Sequence, residues 1–218
     1  MKLWLLDILA CPIEGCKSYP LKLKIFSWET KQEDFEKVFE DIQKKDLFFL
    51  KKALKGRITI DESGSTVKIE DEMTKEPLPL KDYLKTFAEK LDILTTIEDL
   101  SGTSSAQLVK KALETRREKP PASLTSELTT SIYLINWLLY RAEVEEGLMI
   151  CEKCNRWYPI IETIPHMLPD DLREAKEDKA FLEKWKNNIP KKILNCLLYT
   201  SDAADDLLCV DLGGRRII

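Results

Sequence analysis

Two pairs of closely spaced cysteines lie near opposite ends of the chain, and they constrain its fold more than any other feature. The first pair is Cys11 and Cys16 in CPIEGC; the second is Cys151 and Cys154 in CEKC. Two cysteines separated by two residues fit one tight knuckle that aims both sulfurs at a single tetrahedral metal, and a structural zinc site takes four such ligands. Pro12 and Gly15 allow the wider first pair a comparable turn. Neither pair completes a site alone, so the two must meet across the 134 residues that separate Cys16 from Cys151. The chain therefore reads as a small zinc-binding domain cut open by a large insertion. Four thiolates fill the tetrahedron, so the expected ion is single and structural, with no open position for a reacting water.

The text after Asn195 obeys different rules. It reads CLLYTSDAADDLLCVDLGGRRII from Cys196. Reverse translation gives the common adapter of a transposase-based sequencing library on either side of a short index at Asp206 to Leu208. Residues 196–218 are therefore expected to be an artefact, with the natural protein cut short near Asn195, and they are set aside as a fusion scar would be. Setting them aside removes Cys196 and Cys209 from the cysteine count. It also removes Arg215 and Arg216 against Asp202, Asp205, Asp206 and Asp211, which moves the net charge from −4 to −2.

The remaining cysteines come in close pairs, which in an intracellular protein read as metal ligands rather than disulfides. The opening MKLWLLDILAC is apolar, but Asp7 interrupts it and the run is short for a signal peptide. A lipoprotein cleavage before Cys11 would orphan Cys16. The most apolar stretch, Ile132 to Tyr140, is too short to span a bilayer. The expected location is cytoplasmic. Charged residues make up 33% of the chain with both signs mixed, so charge alone gives no footprint for nucleic acid.

Periodicity fills in the rest. Leu21, Leu23 and Ile25 alternate with Lys22 and Lys24, as in a half-buried strand. Phe35, Val38, Phe39 and Ile42 fall at helical spacing behind a capping box of Thr30 and Glu33. Leu47 to Leu54 extends or restarts that helix before Gly56. Arg57 to Ile60 and Val67 to Glu70 flank a polar turn and suggest a hairpin. Further apolar stripes are Tyr83, Leu84, Phe87, Leu91 and Leu94, then Leu108, Val109 and Leu113, the latter ended by Pro120 and Pro121. The stripe Leu128, Ile132, Ile135 and Leu139 is apolar almost all round, which marks a buried central helix; it is expected to run to Gly147. A last helix begins near Asp170, a candidate N-cap, with Phe181, Leu182, Trp185 and Ile189 on its apolar face.

The stretches LLDILACPIEGC and CEKCNRWYPIIETIPHMLPDDLR resemble the two ends of the tRNA methyltransferase activator subunit family. The resemblance covers roughly Met1 to Ile25 and Leu148 to Ile189; the middle is similar in character only, and is longer than that family's. It implies an α+β fold: a zinc-ribbon-like domain from residues 1–27 and 148–195 with a C-terminal helix, and a helical insertion over 28–147. Short bacterial relatives lack the insertion, which points to an archaeal-type or eukaryotic-type member. The resemblance also implies zinc on Cys11, Cys16, Cys151 and Cys154. It implies a non-catalytic subunit that activates and stabilises SAM-dependent methyltransferases acting on tRNA, rRNA and translation release factor, as a heterodimer that meets RNA or release factor only through its partner. The partner surface carries over to Trp157, Tyr158, Pro159, Ile160, Ile161, Ile164, Pro165, Met167 and Leu168.

The residues themselves agree with a non-enzymatic role. There is no Gly-rich phosphate loop, no Ser-His-Asp set and no nucleotide fingerprint, so the chain lacks the glycine-bearing strand–loop–helix of a methyl-donor site. A ribbon of this size is expected to leave part of Trp157 to Leu168 uncovered, and exposed apolar patches mark partner surfaces. His166, the one histidine, lies inside this run and is expected to be structural. The competing class is a free-standing zinc-ribbon module for RNA or protein binding; RNA would call for a basic stripe with exposed aromatics, and the net charge is acidic.

Overall fold

The computed structural model describes residues 1–102, 104–115, 123–169 and 172–189. It is α+β and divides into two compact units, Met1–Met167 and Leu168 onward. The tail 196–218, Asp170, Pro120 and Pro121 lie outside the described residues.

In the first unit a 3-10 turn, Leu3–Asp7, leads past the first knuckle into β1, Lys22–Trp28. β1 is the hub of a five-stranded sheet. On one side it pairs antiparallel with β6, Val144–Ile150, which pairs with β7, Trp157–Ile161, and that with β8, Ile164–Pro165. On its other side β1 pairs in parallel with β5, Ile97–Asp99, with Leu23 opposite Ile97. The expected alternation on β1 holds for Leu21, Leu23 and Ile25, all fully buried. Lys24 does not follow it: it is 8% exposed and its ammonium pairs with Glu98, its register partner on β5.

The segment 28–147 is more than helical. It holds α1, Gln32–Lys44; α2, Phe48–Leu54; α3, Leu80–Leu94; α4, Ser104–Thr115; and α5, Ser126–Tyr140. Between α2 and α3 lies a three-stranded antiparallel sheet of β2, Thr59–Asp61, β3, Lys68–Glu70, and β4, Leu78–Pro79. The expected hairpin is thus present and gains a third strand. The segment also supplies β5, which completes the sheet of β1, β6, β7 and β8.

One core joins these parts. Phe35 of α1 stands edge-on between Trp28 and Trp137, with ring centroids 5.0 and 5.2 Å away. α5 is buried on nearly every side, from Leu128 to Leu139, as its all-round apolar pattern requires. Asn136 is the exception within it. Its amide donates to Asp71 at 2.8 Å, and Asp71 also accepts from Tyr83 at 2.5 Å and from the main chain of Met73 at 2.8 Å. This buried polar knot ties the small sheet to α3 and α5.

Three local expectations need correction. α5 ends at Tyr140, not at Gly147, which lies in the middle of β6. A Cβ on Gly147 would stand 2.7 Å from the Lys24 carbonyl, so glycine is there for close strand approach and not to stop a helix. Thr30 does not cap α1: its Oγ1 accepts from the Glu143 main chain at 2.8 Å, and the N-cap residue is Lys31. The last helix, α6 in the second unit, spans Ala175–Trp185, so it starts well past Asp170. Phe181 and Leu182 are buried on it, and Arg173 pairs with Asp178 at 2.9 Å just before its first turn closes.

Candidate metal centre

The β1–β6 ladder builds the site. Its register places Lys22 opposite Ile150. Cys16 lies a short turn before Lys22, and Cys151 follows Ile150 directly. Strand pairing alone therefore sets the two knuckles side by side, although 134 residues separate them in sequence.

The knuckles have matching local geometry. Each is closed by the main-chain N–H of its first cysteine: Cys11 donates to the Ser18 carbonyl at 3.0 Å, and Cys151 to the Arg156 carbonyl at 2.8 Å. In each, the residue after the second cysteine takes a left-handed conformation, Lys17 at φ 42° and Asn155 at φ 56°. That kink turns the next N–H back toward the sulfur, so Ser18 donates to Cys16 and Arg156 to Cys154. Gly15, at φ 76°, supplies the additional left-handed step that the longer first pair needs. Lys153 bridges the knuckles, its ammonium donating to the Cys16 carbonyl at 3.1 Å.

All four sulfurs lie within 4.8 Å of one another. The contacts Cys11 to Cys154 and Cys16 to Cys151 are both 3.6 Å. A disulfide would need about 2 Å. A tetrahedron with metal–sulfur bonds of about 2.3 Å has an edge of about 3.8 Å. The spacing therefore fits four thiolates around one ion, and a full set of soft sulfur ligands suits zinc.

The surroundings pull the thiols in different directions. Burial pushes Cys154 up to about 12 and raises Cys16 as well. Burial also raises Cys151, but N–H groups of Cys154 and Lys153 and the neighbouring thiols outweigh it and bring Cys151 down to about 7. Four mutually close thiols resist ionising together, and a divalent cation removes that conflict by taking the place of their protons. The hydroxyl of Tyr158, fully buried on β7, lies 3.1 Å from Cys11 Sγ. Sequence reading placed Tyr158 on a partner surface; nothing in its pattern marks it as a neighbour of the sulfur.

The apolar run beyond the second knuckle splits in two. Trp157, Tyr158 and Ile160 are at most 5% exposed, and Pro159 is buried too, so these side chains do not offer an open apolar face. Ile161, Pro165 and Met167 are half-buried, while Ile164 is 61% exposed. Leu168, exposed, opens the second unit. The His166 main-chain N–H donates to the Pro159 carbonyl at 2.9 Å, one residue beyond β8. The run is covered more than expected because residues of the segment 28–147 pack in the same core as Tyr158 and Ile160.

Among the described residues no helix is long and apolar enough to cross a membrane. A family model described as Trm112p-like protein matches residues 2–162. No curated protein and no solved structure matches the chain.

Proposed function

The chain belongs to the Trm112p-like family, the tRNA methyltransferase activator family, and from that membership we propose that it serves as the non-catalytic, stabilising subunit of SAM-dependent methyltransferases acting on tRNA, rRNA or translation release factor. The observation that carries the reading is the outer end of the five-stranded sheet. β8 is its last strand, no further strand pairs beyond it among the described residues, and Ile164 there is 61% exposed. Pro165 gives this two-residue edge no outward N–H, so a partner would meet main-chain carbonyls as acceptors, and apolar contact at Ile164 would supply most of the affinity. A catalytic subunit with a matching uncovered strand and apolar face would gain solubility from the contact.

In this reading the metal is zinc, one ion held by Cys11, Cys16, Cys151 and Cys154. When bound it supplies a four-way crosslink and no chemistry. The protein's own residues do the rest: β6 and β7 run from the second knuckle straight to β8, so a rigid knuckle fixes the angle of the docking edge.

The test is co-expression with a methyltransferase from the same genome, followed by affinity purification. Ile164→Asp places a charge at the exposed edge, where burying it without a partner costs several kcal/mol. The variant should fold, keep its metal and lose the soluble methyltransferase. Met167→Asp is a poorer probe, because Met167 packs partly against the core and the variant would unfold the edge as well. If Ile164→Asp recovers as much active methyltransferase as the parent, β8 is not the docking edge.

A further inference from the structure

We infer that Tyr158 is a built part of the metal centre, a positioning residue whose hydroxyl donates to the Cys11 thiolate and tunes the ion's hold. Cys16 takes an N–H from Ser18, Cys154 one from Arg156, and Cys151 those of Lys153 and Cys154. All of these donors are main-chain groups within the knuckles. Cys11 is reached by a side chain from a different strand, with the Tyr158 oxygen 3.1 Å from Sγ. A metal-bound thiolate carries no proton, so in the loaded site the hydroxyl is the donor and the sulfur the acceptor.

The placement is not incidental. Cys11 is 2% exposed and Tyr158 0%, so water does not compete for the contact. Tyr158 is held by pairing with Met149 across β6 and β7, and Met149 is itself fully buried. A buried tyrosine hydroxyl needs a partner, and here that partner is a candidate ligand sulfur. Donors to ligand atoms orient the ligand and adjust its electron donation, and their loss typically weakens metal affinity tenfold or more. The contact also spans the long loop, joining the first knuckle to the strand that leaves the second. This inference does not depend on which partner the protein serves.

The test uses the full chain and Tyr158→Phe, which keeps the ring and deletes the oxygen. Each is loaded with cobalt(II) in place of zinc, and the thiolate-to-cobalt charge-transfer band is recorded. Zinc affinity is then measured by competition with a chromophoric chelator. A thiolate that has lost its hydrogen bond gives up electron density more readily, so the band should move to lower energy, and zinc should bind about tenfold more weakly. An unmoved band overturns the proposal, even if affinity falls, because weaker binding alone would mean a packing role. If Tyr158→Phe does not fold, the unaltered chain loaded with cadmium-113 decides. A scalar coupling between the metal and the Tyr158 hydroxyl proton is expected, and that proton observed without the coupling overturns the assignment.

Discussion

Cys151→Ser removes one of four ligands at the point where β6 enters the second knuckle, and its cost can be bounded. In small zinc peptides the metal supplies all the folding free energy, on the order of 10 kcal/mol. Here the structure argues for less. The β1–β6 ladder already brings the knuckles together, from Lys22 opposite Ile150 to Trp28 opposite Val144. The buried core reaches from Leu3 to Ile160, and most of its residues lie outside the two knuckles. Zinc at a thousand times its dissociation constant adds about 4 kcal/mol to such a fold. For a chain of 218 residues that is about 8–16 °C in the thermal midpoint. Cys151→Ser should therefore lose its stoichiometric zinc and melt about that much lower, still in one cooperative transition, and chelator treatment of the parent should reach the same midpoint. Metal content is read by elemental analysis and melting by circular dichroism. Undiminished zinc in the variant refutes the ligand assignment. A metal-free parent with no cooperative transition refutes the claim that strand pairing precedes the metal.

Gly147→Ala should destabilise the fold by about 1–3 kcal/mol, because its Cβ would lie 2.7 Å from the Lys24 carbonyl and β1 would have to move; an unchanged denaturant midpoint would show that the strands have slack. Asp71→Ala leaves the Tyr83 hydroxyl and the Met73 and Thr74 N–H groups without their shared acceptor. At about 1–3 kcal/mol for each of the three orphaned groups, a loss of about 3–9 kcal/mol is expected in chemical denaturation, and a loss under 1 kcal/mol would mean water replaces the carboxylate. Replacing residues 30–142 by a short turn joins β1 to β6 where Trp28 already faces Val144. The product should fail to give a cooperative melt even with zinc, since it lacks β5 and the helices that bury Leu23 and Ile25; a cooperative melt would show that the ribbon is self-sufficient.

The parts legible in the sequence were those with a short-range signature. Cysteine spacing located the four sulfurs, because a knuckle is a local turn and its chemistry admits few readings. Helical stripes located α1, α3 and α5, because one-sided burial writes its period into the chain. The alternation at Leu21 to Ile25 located β1 for the same reason. Errors arose where two periods met. After Tyr140 the chain reads Arg141-Ala142-Glu143-Val144-Glu145-Glu146-Gly147, where charged and small apolar residues mix over too few positions to establish a new period, so the join between helix and strand is not marked. Gly147 then looked like a stop signal, although its role is set by Lys24, more than a hundred residues away.

What stayed hidden was decided by tertiary partners. Thr30 has the right spacing to Glu33 for a cap, but the Glu143 N–H competes for its hydroxyl and wins. Lys24 reads as a solvent-facing residue of an amphipathic strand until β5 arrives beside it and brings Glu98. The run after Cys154 is the most instructive case. Its apolar residues were expected to exceed what a ribbon could cover, and that expectation treats the ribbon as separate from the insertion. Once β5 and α5 share its core, Tyr158 and Ile160 go inside. Nearer the surface is the short strand β8, paired with Ile160 and Ile161 at the end of β7. Of the nine apolar residues of the run, Ile164 and Leu168 are the exposed ones, at 61% and 40%. The proposed docking edge therefore rests on Ile164 and not on the Trp157, Tyr158 and Ile160 side chains, which are each at most 5% exposed and so cannot enter a partner's pocket without opening the core.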